Sequence, residues 1–338
     1  MSTGAPFADI RQVVANFGGI DHTAIAAVRE RDAVLTKPAG SLGRLEELAE
    51  WMAGWQRKER PTVDRGMIAI FAGNHGIAER GVSAYPASVT VQMVANFTAG
   101  GAAINQLCAA NDLGLKVYEL ALEYPTPDIT EQDAFTETEC AATIAYGMEA
   151  VAGGIDLLGI GEMGIGNTTV ASILLAALFG GGADEWVGPG TGVEGEAMDR
   201  KRAAFAQALT RVDGVTDPLE ILRRVGGREF AAMAGAIIAA RTQHVPVIID
   251  GFVATAAAAI VAKMTRGGTD HCVFAHRSAE PGHARALKEL GAEPLLDLGM
   301  RLGEGSGAAL AAGIIKSAVA THNDMATFAQ AGVSGPAD

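Results

Sequence analysis

Continuous apolar runs, each followed by a glycine-rich loop, recur along the chain. Strands that are buried on both faces of a parallel sheet read as such unbroken runs, without polar alternation. Each run with its loop therefore predicts a strand that leads into a helix. Four segments have this pattern: 67–73 (MIAIFAG), 155–161 (IDLLGIG), 245–250 (VPVIID) and 295–299 (LLDLG).

Further apolar and Ala-rich segments complete this pattern. Residues 116–122 and 271–275 predict two more strands, and 170–179, 230–240 and 308–320 predict helices. Strands that alternate with helices indicate an α/β fold with a doubly wound, mainly parallel sheet and helices on both faces. In such sheets ligands bind outside the carboxyl ends of the strands, which is where the glycine loops fall.

The first 60 residues depart from this pattern. Residues 21–36 and 42–58 have helical periodicity, with Ser41 as the predicted N-cap of the second helix. Near the other end, 323–333 predicts a short helix that packs back. We therefore expect a small helical domain (1–60, with 321–338 packing on it) and an α/β Rossmann-like catalytic domain (61–320).

Composition narrows the class of protein. With 49% apolar residues, 26 Lys and Arg against 39 Asp and Glu, and a net charge of −13, the chain has an ordinary core and an acidic surface. An acidic protein with scattered cations repels phosphate backbones, so neither nucleic acid nor an anionic membrane is an expected partner.

The most apolar stretch, 245–262, is interrupted by Pro246, Asp250 and Gly251, which argues against a membrane span, and residues 1–11 carry no secretory signal pattern. We expect a cytoplasmic protein.

Cysteine and histidine spacing argues against a metal site. Cys108, Cys140 and Cys272 are far apart, and the seven histidines form no His-Glu-x-x-His pair. These patterns exclude a disulfide framework and make a dedicated metal site unexpected.

Two glycine loops are candidates for anion binding. Residues 161–169 open a predicted helix, whose free N–H groups and dipole favour a phosphate or carboxylate. The loop lacks the Gly-Lys-Ser/Thr ending of a triphosphate P-loop, and its glycine spacing differs from the dinucleotide fingerprint, so a monophosphate is the better interpretation. Residues 188–192 precede Lys201, a candidate cation for the same anion. The alternatives are a tight strand-to-helix turn for the first loop and a solvated surface for Lys201.

Polar side chains follow several predicted strands. Glu304 lies between glycines, and a carboxylate in a partly dry cleft has a raised pKa and can act as a general base. Glu162, Asp250 and the pair Asn74 and His75 hold matching positions after other strands. Glu304 can alternatively cap a helix or satisfy its dipole, and the other groups can satisfy backbone donors. A lone histidine in such a turn is typically a hydrogen-bonded structural residue, which is the alternative for His75.

Residues 81–96 combine one aromatic ring with a few polar groups. Ser83, Tyr85 and Gln92 lie near a proline turn and a predicted helix start. This mixture suits a flat heterocycle, and packing against the helix start is the alternative.

Seven segments of the chain together carry a family resemblance. In order along about residues 21–333, they resemble the nicotinate-nucleotide:dimethylbenzimidazole phosphoribosyltransferase family. The matching segments are 37–46 (KPAGSLGRLE), 72–76 (AGNHG), 81–92, 161–169, 250–252 (DGF), 278–283 (SAEPGH) and 296–307.

The resemblance implies a specific reaction. Members transfer the phosphoribosyl group of nicotinate mononucleotide to 5,6-dimethylbenzimidazole, which gives α-ribazole 5′-phosphate and nicotinate for the lower ligand of cobalamin. It also implies a homodimer whose neighbouring subunit helps to close the active site, with no metal or other cofactor.

The resemblance also implies roles for individual residues. Glu304 matches the general base that removes the benzimidazole proton. Matching the nucleotide-binding positions are Glu162, Gly164, Gly166, Asn167, Thr168 and Lys201. Matching the benzimidazole pocket are Ser83, Tyr85, Gln92, Leu302 and Gly303.

Two other functions stay open at this stage. A relative that uses adenine or a phenolic ring as acceptor would share the same loops and base. A protein that only senses a heterocycle or nucleotide would keep the cleft without turnover. A generic NAD-binding protein is disfavoured, because the dinucleotide fingerprint is missing.

Overall fold

The computed structural model describes residues 6–335 and contains one five-stranded sheet. All four strand pairings are parallel, in the spatial order β2-β1-β3-β4-β5. The predicted parallel α/β fold is thereby confirmed. The strands are β1 (Gly66–Ala72), β2 (Gly114–Glu119), β3 (Leu157–Met163), β4 (Val247–Ile249) and β5 (Cys272–Phe274).

Helices surround the sheet, and two short 3₁₀ helices occupy Gly76–Arg80 and Met148–Val151. The helices predicted from the Ala-rich segments lie within α7, α11 and α14. In chain order the α-helices are α1 (Pro6–Ala15), α2 (His22–Asp32), α3 (Arg44–Gln56), α4 (Ser88–Ala99), α5 (Ala103–Ala110), α6 (Glu137–Gly147), α7 (Asn167–Phe179), α8 (Ala183–Trp186), α9 (Glu196–Thr210), α10 (Pro218–Val225), α11 (Arg228–Thr242), α12 (Phe252–Met264), α13 (Pro281–Glu289), α14 (Ser306–Asp324) and α15 (Phe328–Ala331).

Alternate residues of each strand face two separate cores. In β1, Ala69 and Phe71 pack with α6, α7, α11 and α12, whereas Ile68 and Ile70 pack with α3, α5 and α14. Successive side chains of a strand point to opposite faces, so an unbroken apolar run can supply both cores. Because helices cover both faces of the sheet, the residues that point to either face are apolar, and the strand sequences read as continuous apolar runs.

The N-terminal helices pack against the C-terminal ones. The Arg31 side chain donates hydrogen bonds to the carbonyl oxygens of His322 and Asn323, at 2.8 and 2.9 Å. Leu35 and Thr327 form an antiparallel bridge. Helix α14 contacts α2 and α3 as well as β1, β3 and β4, so it joins this region to the sheet. Residues 1–5 and 336–338 of the predicted helical domain lie outside the described residues.

Two local predictions were wrong. Residues 295–299 form no strand, because Leu296 makes only a single bridge to His276 and Gly299 turns the chain with φ 68°. Ser41 does not cap α3: Gly43 occupies the N-cap position with φ 53°, and the Glu46 carboxylate accepts the Leu42 N–H.

No helix within residues 6–335 is long and apolar enough to cross a membrane.

Candidate active site

Four buried carboxylates gather beyond the carboxyl ends of the central strands, and we call them the carboxylate cluster. They are Glu162 in β3, Glu229 in α11, Asp250 after β4 and Glu304 before α14. Like charges in a buried site disfavour ionisation of one another. The cluster lies where ligands bind in a doubly wound sheet, and the charges of Asp250, Glu229 and Glu304 all raise the pKa of the Glu162 carboxyl.

Glu162 is held within the cluster by its neighbours. Burial raises the pKa of its carboxyl to about 8, an effect that the Asn167 hydrogen bond opposes and the charges of Asp250, Glu229 and Glu304 increase. The Asn167 side-chain amide donates to this carboxylate. A Cβ on Gly303 would lie 2.4 Å from Glu162 Oε1, so only glycine lets the chain pass so near. Glu162, Asn167 and Gly303, predicted separately, are thus in contact.

The segment that bears Glu304 has an unusual backbone. Gly303, Glu304 and Gly305 have φ values of 81°, 59° and 73°, all in the left-handed region. For a residue with a side chain this conformation costs about 1–3 kcal/mol, and such residues cluster at active sites. A Cβ on Gly161 would lie 2.2 Å from the Gly305 nitrogen. The glycine in β3 therefore lets this segment cross directly over the strand.

Glu304 is the carboxylate in the cluster that is left for a ligand. Burial raises the pKa of its carboxyl to about 7, and the charge of Asp250 adds to the shift. Among residues 6–335, no group donates a hydrogen bond to its oxygens, whereas the other three cluster members have hydrogen-bond partners. A carboxylate with this pKa and no protein partner can accept a proton near neutral pH.

Sequence reasoning missed Glu229. Its carboxylate pairs with His75 Nε2, and both side chains are fully buried. A Cβ on Gly164 would lie 3.0 Å from Glu229 Oε1, so the pair of His75 and Glu229 packs directly against the 161–169 loop. The available signal was a lone acidic residue at the start of the apolar stretch 230–240. His75 has a structural partner, as its alternative interpretation proposed.

Lys201 lies in a second region, which we call the lysine pocket: Lys201, Thr168, Gly188, Gly190 and Glu280. The Lys201 ammonium donates to Thr168 Oγ1 at 2.9 Å and to the Gly188 carbonyl at 2.8 Å. Its side chain is 0% exposed, which excludes the solvated-surface alternative. Burial lowers the pKa of Lys201 to about 8, and the nearby charge of Glu280 opposes the shift.

Glycines let the backbone come close to the Lys201 ammonium. A Cβ on Gly190, which has φ 55°, would lie 2.6 Å from Thr168 Oγ1 and 3.0 Å from Lys201 Nζ. Arg301 donates to the Gly190 carbonyl at 2.8 Å. The two glycine loops of the sequence, 161–169 and 188–192, therefore meet at this ammonium.

Glu280 is the member of the lysine pocket that sequence reasoning left without a role. Burial raises the pKa of its carboxyl, and the Lys201 charge opposes the shift. A Cβ on Gly188 would lie 2.3 Å from Glu280 Oε2. A cavity of about 260 Å³ is lined by Glu280 together with Arg277, Ser278, Ala279, Pro281, Ala284, Asp297 and Gly299.

The predicted benzimidazole residues are more exposed than the nucleotide residues. Ser83 and Thr191 join their hydroxyl oxygens at 3.1 Å, which connects this segment to the second glycine loop. Tyr85 and Leu302 are 54% and 55% exposed, and Gln92 is exposed on α4. No hydrogen bond among the described residues joins these three side chains to Glu304. Gly303, in contrast, lies beside Glu162 of the carboxylate cluster.

Neighbouring residues in the first turn of α7 connect the two regions. Asn167 donates to Glu162 in the carboxylate cluster, and Thr168 accepts from Lys201 in the lysine pocket. A buried cation beside backbone glycines binds an anion such as a phosphate, and a nearby free carboxylate can take a proton. This arrangement can hold a phosphorylated substrate and deprotonate a second one.

Comparison with known proteins agrees with this geometry. Residues 18–333 match a family model described as "Phosphoribosyltransferase". The match spans nearly the whole of the described chain and includes both the carboxylate cluster and the lysine pocket. The protein is an enzyme, a phosphoribosyltransferase.

Named relatives and solved structures specify the family further. A protein from a Sinorhizobium species and one from Rhizobium meliloti (strain 1021) are each 63% identical over 334 residues, which is 98% of both chains, and both are called nicotinate-nucleotide–dimethylbenzimidazole phosphoribosyltransferase. The crystal structure of the enzyme with that name from Thermus thermophilus has a TM-score of 0.86 at 40% identity and covers 94% of this chain and 100% of its own. A structure of CobT from the same organism has a TM-score of 0.87 at 42% identity, with coverage of 93% and 100%. Full-length identity of this order is shared by members of one family, and this chain belongs to the nicotinate-nucleotide–dimethylbenzimidazole phosphoribosyltransferases.

Proposed function

We propose that this enzyme transfers the phosphoribosyl group of nicotinate mononucleotide to 5,6-dimethylbenzimidazole. The products are α-ribazole 5′-phosphate and nicotinate, in the assembly of the nucleotide loop of cobalamin. The observation that carries the proposal is the Glu304 carboxylate, which is buried, has a pKa raised to about 7 and has no hydrogen-bond partner in the described chain.

The lysine pocket and the first turn of α7 bind the nucleotide. Lys201 supplies a buried positive charge, and Gly164, Gly166, Asn167 and Thr168 lie in the turn that opens α7, where a helix leaves backbone amides without intrahelical acceptors. A phosphate gains both from the amides and from the helix dipole. Arrival of the phosphate offsets the unfavourable burial of the Lys201 ammonium.

Glu304 acts on the acceptor. One imidazole nitrogen of dimethylbenzimidazole attacks the anomeric carbon of the ribose, and Glu304 takes the proton from the other nitrogen. The bond between the anomeric carbon and the pyridinium nitrogen breaks, and its electron pair stays on nicotinate. The acceptor ring is flanked by Ser83, Tyr85, Gln92, Leu302 and Gly303.

The leaving group needs no protonation. The pyridinium of nicotinate mononucleotide carries a positive charge and departs with a neutral nitrogen, so no general acid is required. Attack from the face opposite the departing ring converts the β-linkage into an α-linkage. The enzyme must mainly hold two planar rings on either side of the ribose, which is catalysis by orientation.

The proposal extends to assembly and location. We propose a cytoplasmic homodimer, in which the partner subunit covers the exposed acceptor side near Tyr85 and Leu302. We also propose the division into a helical domain (1–60 with 321–338) and an α/β domain (61–320). Sedimentation of the purified protein tests the dimer directly.

The first experiment measures the reaction itself. Purified protein is incubated with nicotinate mononucleotide and dimethylbenzimidazole in the presence of a chelator, and both products are followed by chromatography with mass detection. We expect stoichiometric nicotinate and α-ribazole 5′-phosphate. Product with adenine or a phenol but not with dimethylbenzimidazole would assign another acceptor. Tight binding of both substrates without turnover would overturn the catalytic function.

A further inference from the structure

Asp250 ties the end of β4 to the start of α14. Its Oδ2 accepts the Gly305 N–H at 3.1 Å, and its Oδ1 accepts the Ala308 N–H at 2.9 Å. The Asp250 side chain is 1% exposed. A Cβ on Gly307 would lie 2.9 Å from Asp250 Oδ1, so the helix start comes close because residue 307 is glycine.

These hydrogen bonds act on the segment that bears Glu304. Gly303, Glu304 and Gly305 all have left-handed backbones, which surrounding contacts must maintain. Ser306 closes the turn locally, through its N–H and hydroxyl to the Gly303 carbonyl. Asp250 is the residue from another part of the chain that binds the segment directly, through the Gly305 amide.

We propose that Asp250 is a positioning residue for the transfer reaction: by binding the first amides of α14, it fixes the backbone of Glu304 and thereby the place of its free carboxylate. This inference rests on the proposed role of Glu304 as the general base. It assigns to Asp250 a function that acts through Glu304 and involves no contact with substrate.

The charge of Asp250 acts on Glu304 in the same direction as burial. Both raise the pKa of Glu304, so Asp250 keeps the base ready to hold a proton near neutral pH. The groups that face this region are Glu162 from β3, Glu229 from α11 and His276 after β5, whose Nε2 lies 3.9 Å from Asp250 Oδ1. A neutral residue at 250 therefore alters both the geometry and the pH profile.

The test compares Asp250→Asn with a matched variant, Asp156→Asn. Asp156 is also a buried aspartate that accepts backbone amides, those of Asp64 and Arg65, but it precedes β3 at the opposite end of the strand. We expect Asp250→Asn to lower kcat by about 10²-fold, as displaced catalytic groups do, with small changes in both KM values. The acidic limb of its pH profile moves to lower pH. Asp156→Asn lowers thermal stability and leaves kcat and the pH profile unchanged.

A double-mutant cycle separates positioning from a general structural effect. If Asp250 acts through Glu304, the double variant Asp250→Asn with Glu304→Gln turns over no more slowly than Glu304→Gln alone. Multiplicative losses overturn the inference and leave the general base in place. A Glu304→Gln enzyme with normal turnover overturns the proposed base instead. If Asp250→Asn does not fold, Asp250→Ser, which keeps an acceptor without the charge, goes through the same cycle.

Discussion

The carboxylate cluster and the lysine pocket meet at the first turn of α7, yet they differ in how buried charge is balanced. In the cluster, four acids of like sign surround one another, and Glu304 has no partner in the described chain. In the pocket, the Lys201 ammonium has two oxygen partners within 2.9 Å. In the proposed function, the cluster takes up a proton at Glu304 and the pocket binds the phosphate at Lys201.

Burial moves the pKa values of Glu304 and Lys201 towards neutral pH, one from below and the other from above. It raises the pKa of Glu304 to about 7 and lowers the pKa of Lys201 to about 8. Between these values each group is at least half in its charged form. One physical cause, removal from water, thus prepares both halves of the site for the same pH range.

The largest effect is expected from removing the base. Glu304→Gln keeps the size of the side chain but cannot accept a proton, so kcat falls by about 10²- to 10⁴-fold with both KM values little changed. Steady-state kinetics with both substrates measures this. Glu293→Gln, which alters an 84% exposed side chain, is the matched control and keeps parental turnover. Parental turnover in Glu304→Gln itself would remove Glu304 from the mechanism.

Removal of the buried cation should affect binding more than turnover. A charge-assisted hydrogen bond is worth about 1.5–3 kcal/mol, so Lys201→Ala raises the KM for nicotinate mononucleotide by roughly 10- to 100-fold. The KM for dimethylbenzimidazole stays near the parental value. Arg202→Ala, on the partly exposed neighbouring side chain of α9, is the control. An unchanged nucleotide KM in a folded Lys201→Ala protein would contradict the phosphate role.

The pH profile tests the two regions together. Because the base must be ionised and the lysine charged, kcat/KM for the nucleotide should peak between about 7 and 8 and fall towards both sides. Each limb falls by about tenfold per pH unit. The acidic limb follows the titration of Glu304, which is coupled to that of Glu162, a carboxyl whose pKa is also raised. The acidic limb should be absent from the pH profile of Glu304→Gln. If it persists unchanged in that variant, the limb belongs to another group.

The smallest effect is expected on the acceptor side. Tyr85 is 54% exposed, so it adds only ring contact with a flat acceptor, worth about 0.5–1.5 kcal/mol. Tyr85→Ala should raise the KM for dimethylbenzimidazole by a few-fold and leave the nucleotide KM unchanged. Tyr85→Phe, which keeps the ring, should behave like the parent. A change in the nucleotide KM would place Tyr85 on the other side of the ribose.

Much of the fold was predictable because burial on both faces leaves a local signature. The apolar runs before Gly73, Gly161 and Gly251 located three of the strands, and Ala-rich segments located α7, α11 and α14. Residues 295–299 carry the same signature without forming a strand, since only Leu296 finds a bridge partner. The Ser41 prediction failed for a different reason, because α3 begins later than its periodicity indicated and Gly43 occupies the N-cap position.

The site was only partly predictable, for reasons of distance along the chain. The glycines around Glu304 are its neighbours in sequence, so a backbone that lets a ligand come close and the carboxylate beside it could be identified as a candidate site. The pairing of His75 with Glu229 spans 154 residues, and no local pattern marks it. The burial of Lys201 likewise depends on loops that lie far from it in sequence.

The sequence by itself determined the parallel α/β architecture, the glycine loops at the strand ends and the family, because these depend on local periodicity and on motifs in order. Only the tertiary structure decided which charges face one another. It placed Glu162, Glu229, Asp250 and Glu304 together, left the last without a partner among the described residues and buried Lys201 beside Thr168. A pKa depends on desolvation and on neighbouring charges, and both exist only once strands from distant parts of the chain lie side by side.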